Sequence, residues 1–294
     1  EMYTPMTTAH KSRVLDMTRG DPFRLLLQFS LPLFCSNLLQ QVYNLTDTAL
    51  AGHLLGSAAL AEIGATAALY GLIMNFAFGM NNGLALTVSR CFGAGEREGI
   101  RRAVGWMVTL SAAVSIVLTT VSLLGRGALL QALQVPAEVW DGAAAYLTVI
   151  LLGIPLTMLY NMEAALLRAV GNSVTPLLFL LFSSVLNVGL DAAFMGPLGM
   201  GVRGAAVATV LAQGISAVLG AVYLVRSYPE LHFTPAHLKK SARRAVMNMF
   251  WAGMSMGLMS AIYNLGSVAL QSSINALGSV YITAQTAARR LAEL

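Results

Sequence analysis

FRLLLQFSLPLFCSNLLQQVYNLTDTAL, residues 23–50, is the stretch on which the fold turns. Between Leu25 and Leu50 it carries one formal charge, Asp47. It is longer than the ~20 residues an α-helix needs to cross a bilayer. It is also too long for the core of a cleavable signal peptide, so it reads as a signal anchor. Seven further apolar runs follow: Ala58–Asn81, Ala103–Leu124, Ala143–Asn161, Leu177–Met195, Ala205–Val225, Val246–Leu270 and a less apolar Ile274–Ala288. In lipid the backbone must satisfy its own hydrogen bonds, so runs of this length and apolarity are helices and not strands. Composition agrees, with 56% of the 294 residues hydrophobic and 11% charged, where soluble domains average about 25% charged. A soluble core of this size could not hide so much apolar surface, but a bilayer can. The expected fold class is an all-α polytopic membrane protein.

The basic residues set the expected orientation. With the N-terminus cytoplasmic, Lys11, Arg13, Arg19 and Arg24 lie inside, as do Arg90, Arg97, Arg101 and Arg102 after the second helix. Arg168 follows the fourth helix, Arg226, Lys239, Lys240, Arg243 and Arg244 lie between the sixth and seventh, and Arg289 and Arg290 follow the eighth. Only Arg126 and Arg203, of 18 Lys and Arg, fall outside. This alternation predicts a multi-pass protein of the plasma (inner) membrane. It also accounts for the net charge of +5 without nucleic acid as a partner. Cys35 and Cys91 sit in or beside apolar segments and read as packing residues, not as a disulfide or a metal site.

The segment Arg226–Arg244, with Pro229, Pro235 and a basic cluster, is the long polar connection and divides the chain. Tyr43-Asn44-Leu45 recurs as Tyr263-Asn264-Leu265, and Thr66-Ala67-Ala68 as Thr286-Ala287-Ala288, both 220 residues later. Gly56-Ser57 matches Gly278-Ser279 with a two-residue gap. Helix seven therefore restarts the pattern of helix one. The expected organisation is a cytoplasmic N-terminal segment (1–22), a six-helix N-terminal lobe (23–226), a cytoplasmic linker (227–245) and the first two helices of a second, pseudo-symmetric lobe (246–294). Two full repeats would need roughly 440 residues and twelve helices, so the chain reads as truncated or incomplete, an expectation its start at Glu1 shares. Both copies start from the cytoplasm, as in lobes related by an axis along the membrane normal.

A carboxylate inside a membrane helix costs about 2.5–3.5 kcal/mol on insertion scales, so it usually has a task or a partner. Most acids here sit near loops, and Asp47 and Asp191 read as the exceptions, each in the outer half of an apolar run. Helix one carries Asn37, Gln40, Asn44 and Asp47, spaced 3, 4 and 3, on one face, with Tyr43 beside them. Helix five carries Ser184, Asn187 and Asp191, and helix six carries Thr209, Gln213 and Ser216. At 1.5 Å per residue, Asp47, Asp191 and Thr209 each lie roughly 8–13 Å below the outer surface. Polar groups at one depth on adjacent helices can form one site, and Asp, Asn and Thr oxygens suit a hard cation or a proton. Two carboxylates in a dry pocket cannot both hold their charge comfortably, so the pair can load a proton and release it to an arriving cation. The competing use of such side chains is helix-to-helix glue. Pro32, early in helix one, kinks it either as a fixed bend or as a hinge.

These residues carry a resemblance. The segments Leu31-Pro32-Leu33, Tyr43-Asn44-Leu45-Thr46-Asp47-Thr48, Gly93-Ala94-Gly95-Glu96, Leu167-Arg168-Ala169-Val170-Gly171-Asn172, Thr175-Pro176, Asn187-Val188-Gly189-Leu190-Asp191 and Gly201-Val202-Arg203-Gly204-Ala205-Ala206 resemble, in order and spacing, the bacterial multidrug and toxic compound extrusion (MATE) family. The resemblance implies twelve helices in two lobes, a monomer in the lipid bilayer, and export of cationic or amphipathic drugs coupled to H⁺ or Na⁺, with no cofactor. It implies an N-lobe cation or proton site at Asp47, Asn187, Asp191 and Thr209, where Na⁺ is the metal that could bind, and a helix-one hinge at Pro32. Asn37, Gln40, Tyr43, Asn44, Ser184 and Gln213 are the polar-face or substrate-pocket candidates.

Other readings are weaker. Gly199, Gly201 and Gly204 spell GxGxxG, but no strand precedes them. The sequon Asn44-Leu45-Thr46 is buried in helix one. Gly171-Asn172-Ser173 lacks a base, since His10, His53, His232 and His237 all lie outside the apolar runs, so no enzyme is expected. A lipid-linked oligosaccharide flippase of related architecture would favour a basic cavity, and these helix cores carry almost no Lys or Arg. A non-transporting membrane scaffold would not need buried acids. Met247, Met249, Met254, Met256 and Met259 crowd helix seven and suit helix packing or an adaptable drug pocket.

Overall fold

The computed structural model describes residue 15, residues 20–239 and residues 242–292. Lys11, Arg13, Arg19 and Lys240, the side chains of Tyr263 and Arg290, and nearly all of the expected N-terminal segment lie outside the described residues. Among the described residues there is no strand. Eight helices form the body: α1 (Pro22–Leu55), α2 (Ser57–Gly93), α3 (Arg97–Leu124), α4 (Trp140–Ala169), α5 (Val174–Met195), α6 (Gly201–Ser227), α7 (Arg243–Asn275) and α8 (Ser279–Ala292). Short helical turns at Arg126–Ala132, Ala137–Val139, Pro229–Leu231 and Pro235–Lys239 join some of them.

Among the described residues seven helices, α1 to α7, are long and apolar enough to span a membrane. The span containing α4 is Ala137–Ala169. The eighth apolar run differs from its expected limits. Residues 274–275 finish α7, and α8 starts at Ser279 and has 14 described residues, fewer than a full crossing needs.

Local chemistry starts and stops the helices. The side chain of Asp21 accepts from the Phe23 amide at 3.1 Å, and Pro22 occupies the first turn, where its missing N–H removes nothing. Gly56 ends α1 at φ 84°, a left-handed backbone that a residue with a Cβ adopts only with strain, and α2 restarts at Ser57. The polar connection after α6 is folded onto α3. Phe233 and Leu238 occupy the space where a Cβ of Gly105 would stand, at 3.0 and 3.1 Å.

α2 is the central element, packed on α4, α7, α3 and α8, while α6 packs on α4 and α5, and α1 leans mainly on α5. The contact between α2 and α7 is a crossing of glycines. A Cβ on Gly79 would stand 2.5 Å from the Met256 carbonyl oxygen, and one on Gly83 2.5 Å from that of Ala252. Facing them are Gly257 and Gly253. Small residues let two backbones meet, which is how helices associate where lipid gives no hydrophobic drive. Of the methionines on α7, Met249 is buried, whereas Met247 and Met259 are exposed.

Candidate functional site

The outer halves of α1, α5 and α6 bring one group of side chains together. Tyr43 and Asp47 are one turn apart on α1, Asn187 and Asp191 one turn apart on α5, and Thr209 faces them from α6. Asn187 Nδ2 donates to Thr209 Oγ1 at 3.4 Å. The Tyr43 hydroxyl interacts with Thr209, and lies in the field of Asp47, Asp191 and Tyr70. The electrostatic neighbours of Asp191 are Asp47 and Asn187. An apolar group of Ala51, Ile63, Tyr146, Ile150, Met195, Ala205 and Ala206 sits at the same end of the bundle.

Burial makes this arrangement costly unless something completes it. Asp191 is 0% exposed and Asn187 1%. Both carboxylate oxygens of Asp191, and Oδ1 of Asn187, accept no short hydrogen bond among the described residues. Acceptor oxygens buried in that condition are rare in folded proteins and call for an occupant. The donor set is oxygen throughout, from two carboxylates, an amide, a threonine and a phenol. That set suits a proton or a hard monovalent cation. Among the described residues there is no group of three or more His, Cys, Asp and Glu of the kind that would hold a soft or strongly charged metal.

The other polar candidates have different surroundings. Ser184 is buried, but its hydroxyl donates to the Leu180 carbonyl of its own helix at 2.8 Å. Gln40 Nε2 donates to Asn44 Oδ1 at 3.3 Å, and Asn44 Nδ2 to Gln41 Oε1 at 3.4 Å, so these amides satisfy each other along α1. Asn37 is exposed and is not brought to the acids. Gln213 accepts from Thr157 of α4 at 2.5 Å, one helical turn inward of Thr209. Pro32 lies inside α1, and the Ser36 hydroxyl donates to its carbonyl at 2.8 Å. The GxGxxG glycines fall in the turn between α5 and α6 and at the start of α6.

Two participants have no forerunner in the sequence reading. Tyr70 joins the group from α2, where one tyrosine in an apolar run gives no polar stripe to notice. The other is an acid. The expectation that Asp47 and Asp191 are the acids within the helices does not hold, because Glu163 is 4% exposed and lies inside α4. Ending the fourth run at Asn161 hid it, although Ala164-Ala165-Leu166-Leu167 continues the apolar helix beyond.

Comparisons with known proteins bear on this geometry. The MatE family profile matches residues 32–193. The probable multidrug resistance protein YpnP of Bacillus subtilis is 29% identical over 279 residues, 95% of this chain and 62% of its own length. The probable multidrug resistance protein NorM of Thermotoga maritima is 30% identical over 196 residues, 65% of this chain and 42% of its own. A solved inward-facing conformation of a multidrug resistance MATE family transporter of the MOP superfamily superposes with TM-score 0.75 at 25% identity, covering 86% of this chain and 57% of that one. The chain thus spans less than two thirds of the length of these relatives.

Proposed function

Since the chain belongs to the MatE family, a family of transporters and not of enzymes, we propose that it forms the first lobe, and the opening helices of a second, of a cation-coupled multidrug efflux antiporter. It lies in the plasma (inner) membrane with its N-terminus cytoplasmic. A proton or Na⁺ enters from outside and binds at Asp47, Asn187, Asp191 and Thr209, with the Tyr43 hydroxyl beside them. Its arrival and departure bias the lobes between outward-open and inward-open states, and an organic cation or amphipathic drug leaves in exchange. The observation that carries this reading is the fully buried carboxylate of Asp191 set against that of Asp47 across α1 and α5. A structural hydrogen bond does not require two acids facing one another.

The test is a proteoliposome assay with an imposed pH or Na⁺ gradient and a fluorescent organic cation. Asp47→Asn and Asp191→Asn should each abolish gradient-driven dye movement, with both proteins still inserting in the membrane. Undiminished coupling in both variants removes the assignment.

A further inference from the structure

A second buried acid lies deeper in the same lobe. Glu163 of α4 is 4% exposed, and its Oε1 accepts no short hydrogen bond among the described residues. It presses against α6 at Gly220, where a Cβ would overlap Glu163 Oε2. Glycine at that position is what gives the carboxyl its room. One turn outward on α6, Ser216 is 1% exposed and its hydroxyl is also without a hydrogen-bond partner among the described residues. Glu163 and Ser216, with Tyr160, Pro176 and Phe179, line a cavity of ≈ 10 Å³, about the room that one water occupies.

Among the described residues that line the cavity, none carries a counter-charge for this acid. α5 faces it with Pro176 and Phe179, and α6 with Ser216 and Gly220. Tyr160, on its own helix, is the titratable neighbour. Arg168, five residues further along α4, is occupied elsewhere: its Nη2 donates to Asn82 Oδ1 at 3.1 Å, and its guanidinium lies 5.7 Å over the Phe78 ring. A single carboxyl beside the Ser216 and Tyr160 side chains, in a cavity with room for one water and lined otherwise by apolar groups, suits a proton.

Glu163 is also in line with the outer acids. Along α6 the residues Thr209, Gln213, Ser216 and Gly220 recur at intervals of 4, 3 and 4, which keeps them on one face. At 1.5 Å per residue, Ser216 lies ~10 Å and Gly220 ~16 Å inward of Thr209. The gap is bridged by the pair of Thr157 on α4 and Gln213 on α6, hydrogen-bonded at 2.5 Å. We propose that Glu163 is a second proton site, at the inner end of a polar file running along the contact of α4 and α6. Through it the outer acid cluster exchanges protons with the cytoplasmic side. A proton leaving the outer carboxylates passes along water and hydroxyl groups held in line by the Gln213 amide, forms the O–H bond of the Glu163 carboxyl, and departs from there to cytoplasmic water. This deepens the antiport reading and rests on it.

The experiment is infrared titration of the protonated-carboxyl C=O stretch in the reconstituted protein, run beside the dye assay. The wild type should show a titrating band that Glu163→Gln loses, Asp191→Asn retains and Glu163→Asp restores at a shifted frequency. In the dye assay, Glu163→Gln should lose the response of efflux to pH on the cytoplasmic side. A Glu163→Gln spectrum that superimposes on the wild type overturns the proposal. So does a full pH response in Glu163→Gln alongside an uncoupled Asp191→Asn, an outcome that leaves the antiport reading standing. Full coupling in Asp191→Asn defeats the antiport reading itself. If Glu163→Gln fails to fold, Gly220→Ala serves, because it crowds the carboxyl and should displace the same band; an undisplaced band counts against the site.

Discussion

α1 and α2 are consecutive and of similar length, 34 and 37 residues, yet they are held in opposite ways. α1 buries only Thr48 and Ala51, both near its outer end, whereas α2 buries residues from Ala59 to Val88 along its whole length. The side chains explain the contrast. α2 presents Ala and Gly on its packed faces, so α3, α4, α7 and α8 can close on it. α1 presents Phe23, Leu26, Leu27, Leu31 and Phe34 outward, as a lipid-facing helix would. One helix is frame, and the other is fixed only where its acid sits. An element with few buried contacts is the one that can shift without opening a core. Asp47 therefore belongs to a movable helix and Asp191 to one that α6 holds along a buried face from Ser183 to Met195, and an ion shared between them would link the two.

The contrast is most open to attack at the glycine crossing. Gly83→Leu on α2 should cost about 3 kcal/mol or more, because the atoms in its way are backbone and cannot yield. Leu27→Ala on α1 should stay within about 0.5 kcal/mol. Thermal unfolding in detergent reads both, and equal losses would break the distinction. The next effect is smaller. Asn275 on α7 is 1% exposed, and its amide donates to the Ala65 carbonyl of α2 at 3.1 Å and the Leu133 carbonyl at 2.8 Å. Gln271 Nε2 in turn donates to its Oδ1 at 2.8 Å. Asn275→Ala should lower stability by about 1–2 kcal/mol. Asn44→Ala on α1, whose amide bonds stay within its own helix, should change it by no more than about 0.5 kcal/mol. A larger loss at Asn44 than at Asn275 would place α1 in the frame after all.

What could be read from residues alone follows the same division. Helix positions were legible because lipid permits so few backbone solutions. That Asp47, Asp191 and Thr209 share one depth was legible because helical spacing and rise are arithmetic on residue numbers; the choice of Asn187 from its stripe, and of these four as one set, came from the family resemblance. Periodicity does not say which face meets which neighbour. That is why Gln213, on the right face of α6, turned out to be engaged by Thr157 of α4, and why Tyr70 arrived unannounced from α2. Glu163 escaped for a different reason: a run ended at the first polar residue misses an acid held in a notch that Gly220 provides on another helix. The eighth run was misplaced because Asn275, although polar, belongs to the end of α7, where its side chain is fully used by two carbonyls.

Pro32 should matter little to stability, and its interest lies in motion. The proline ring removes the amide that would otherwise bond the Gln28 carbonyl, and the Ser36 hydroxyl binds the Pro32 carbonyl, which favours bending at the same turn. Everything inward of this point on α1 is exposed or half-buried, so a bend there would disturb no core. Pro32→Ala should therefore shift stability by less than about 1 kcal/mol. Spin labels at Leu27 on α1 and Val174 on α5, with Cys35 and Cys91 replaced, would report the distance between the inner ends of these helices. The expected result is two distance populations that exchange weight as the pH or Na⁺ concentration changes, merging into one in the Pro32→Ala background. A label pair on α2 and α4 should keep a single distance throughout. Two populations persisting in Pro32→Ala would move the hinge away from this proline, and a shifting α2–α4 distance would mean the frame itself moves.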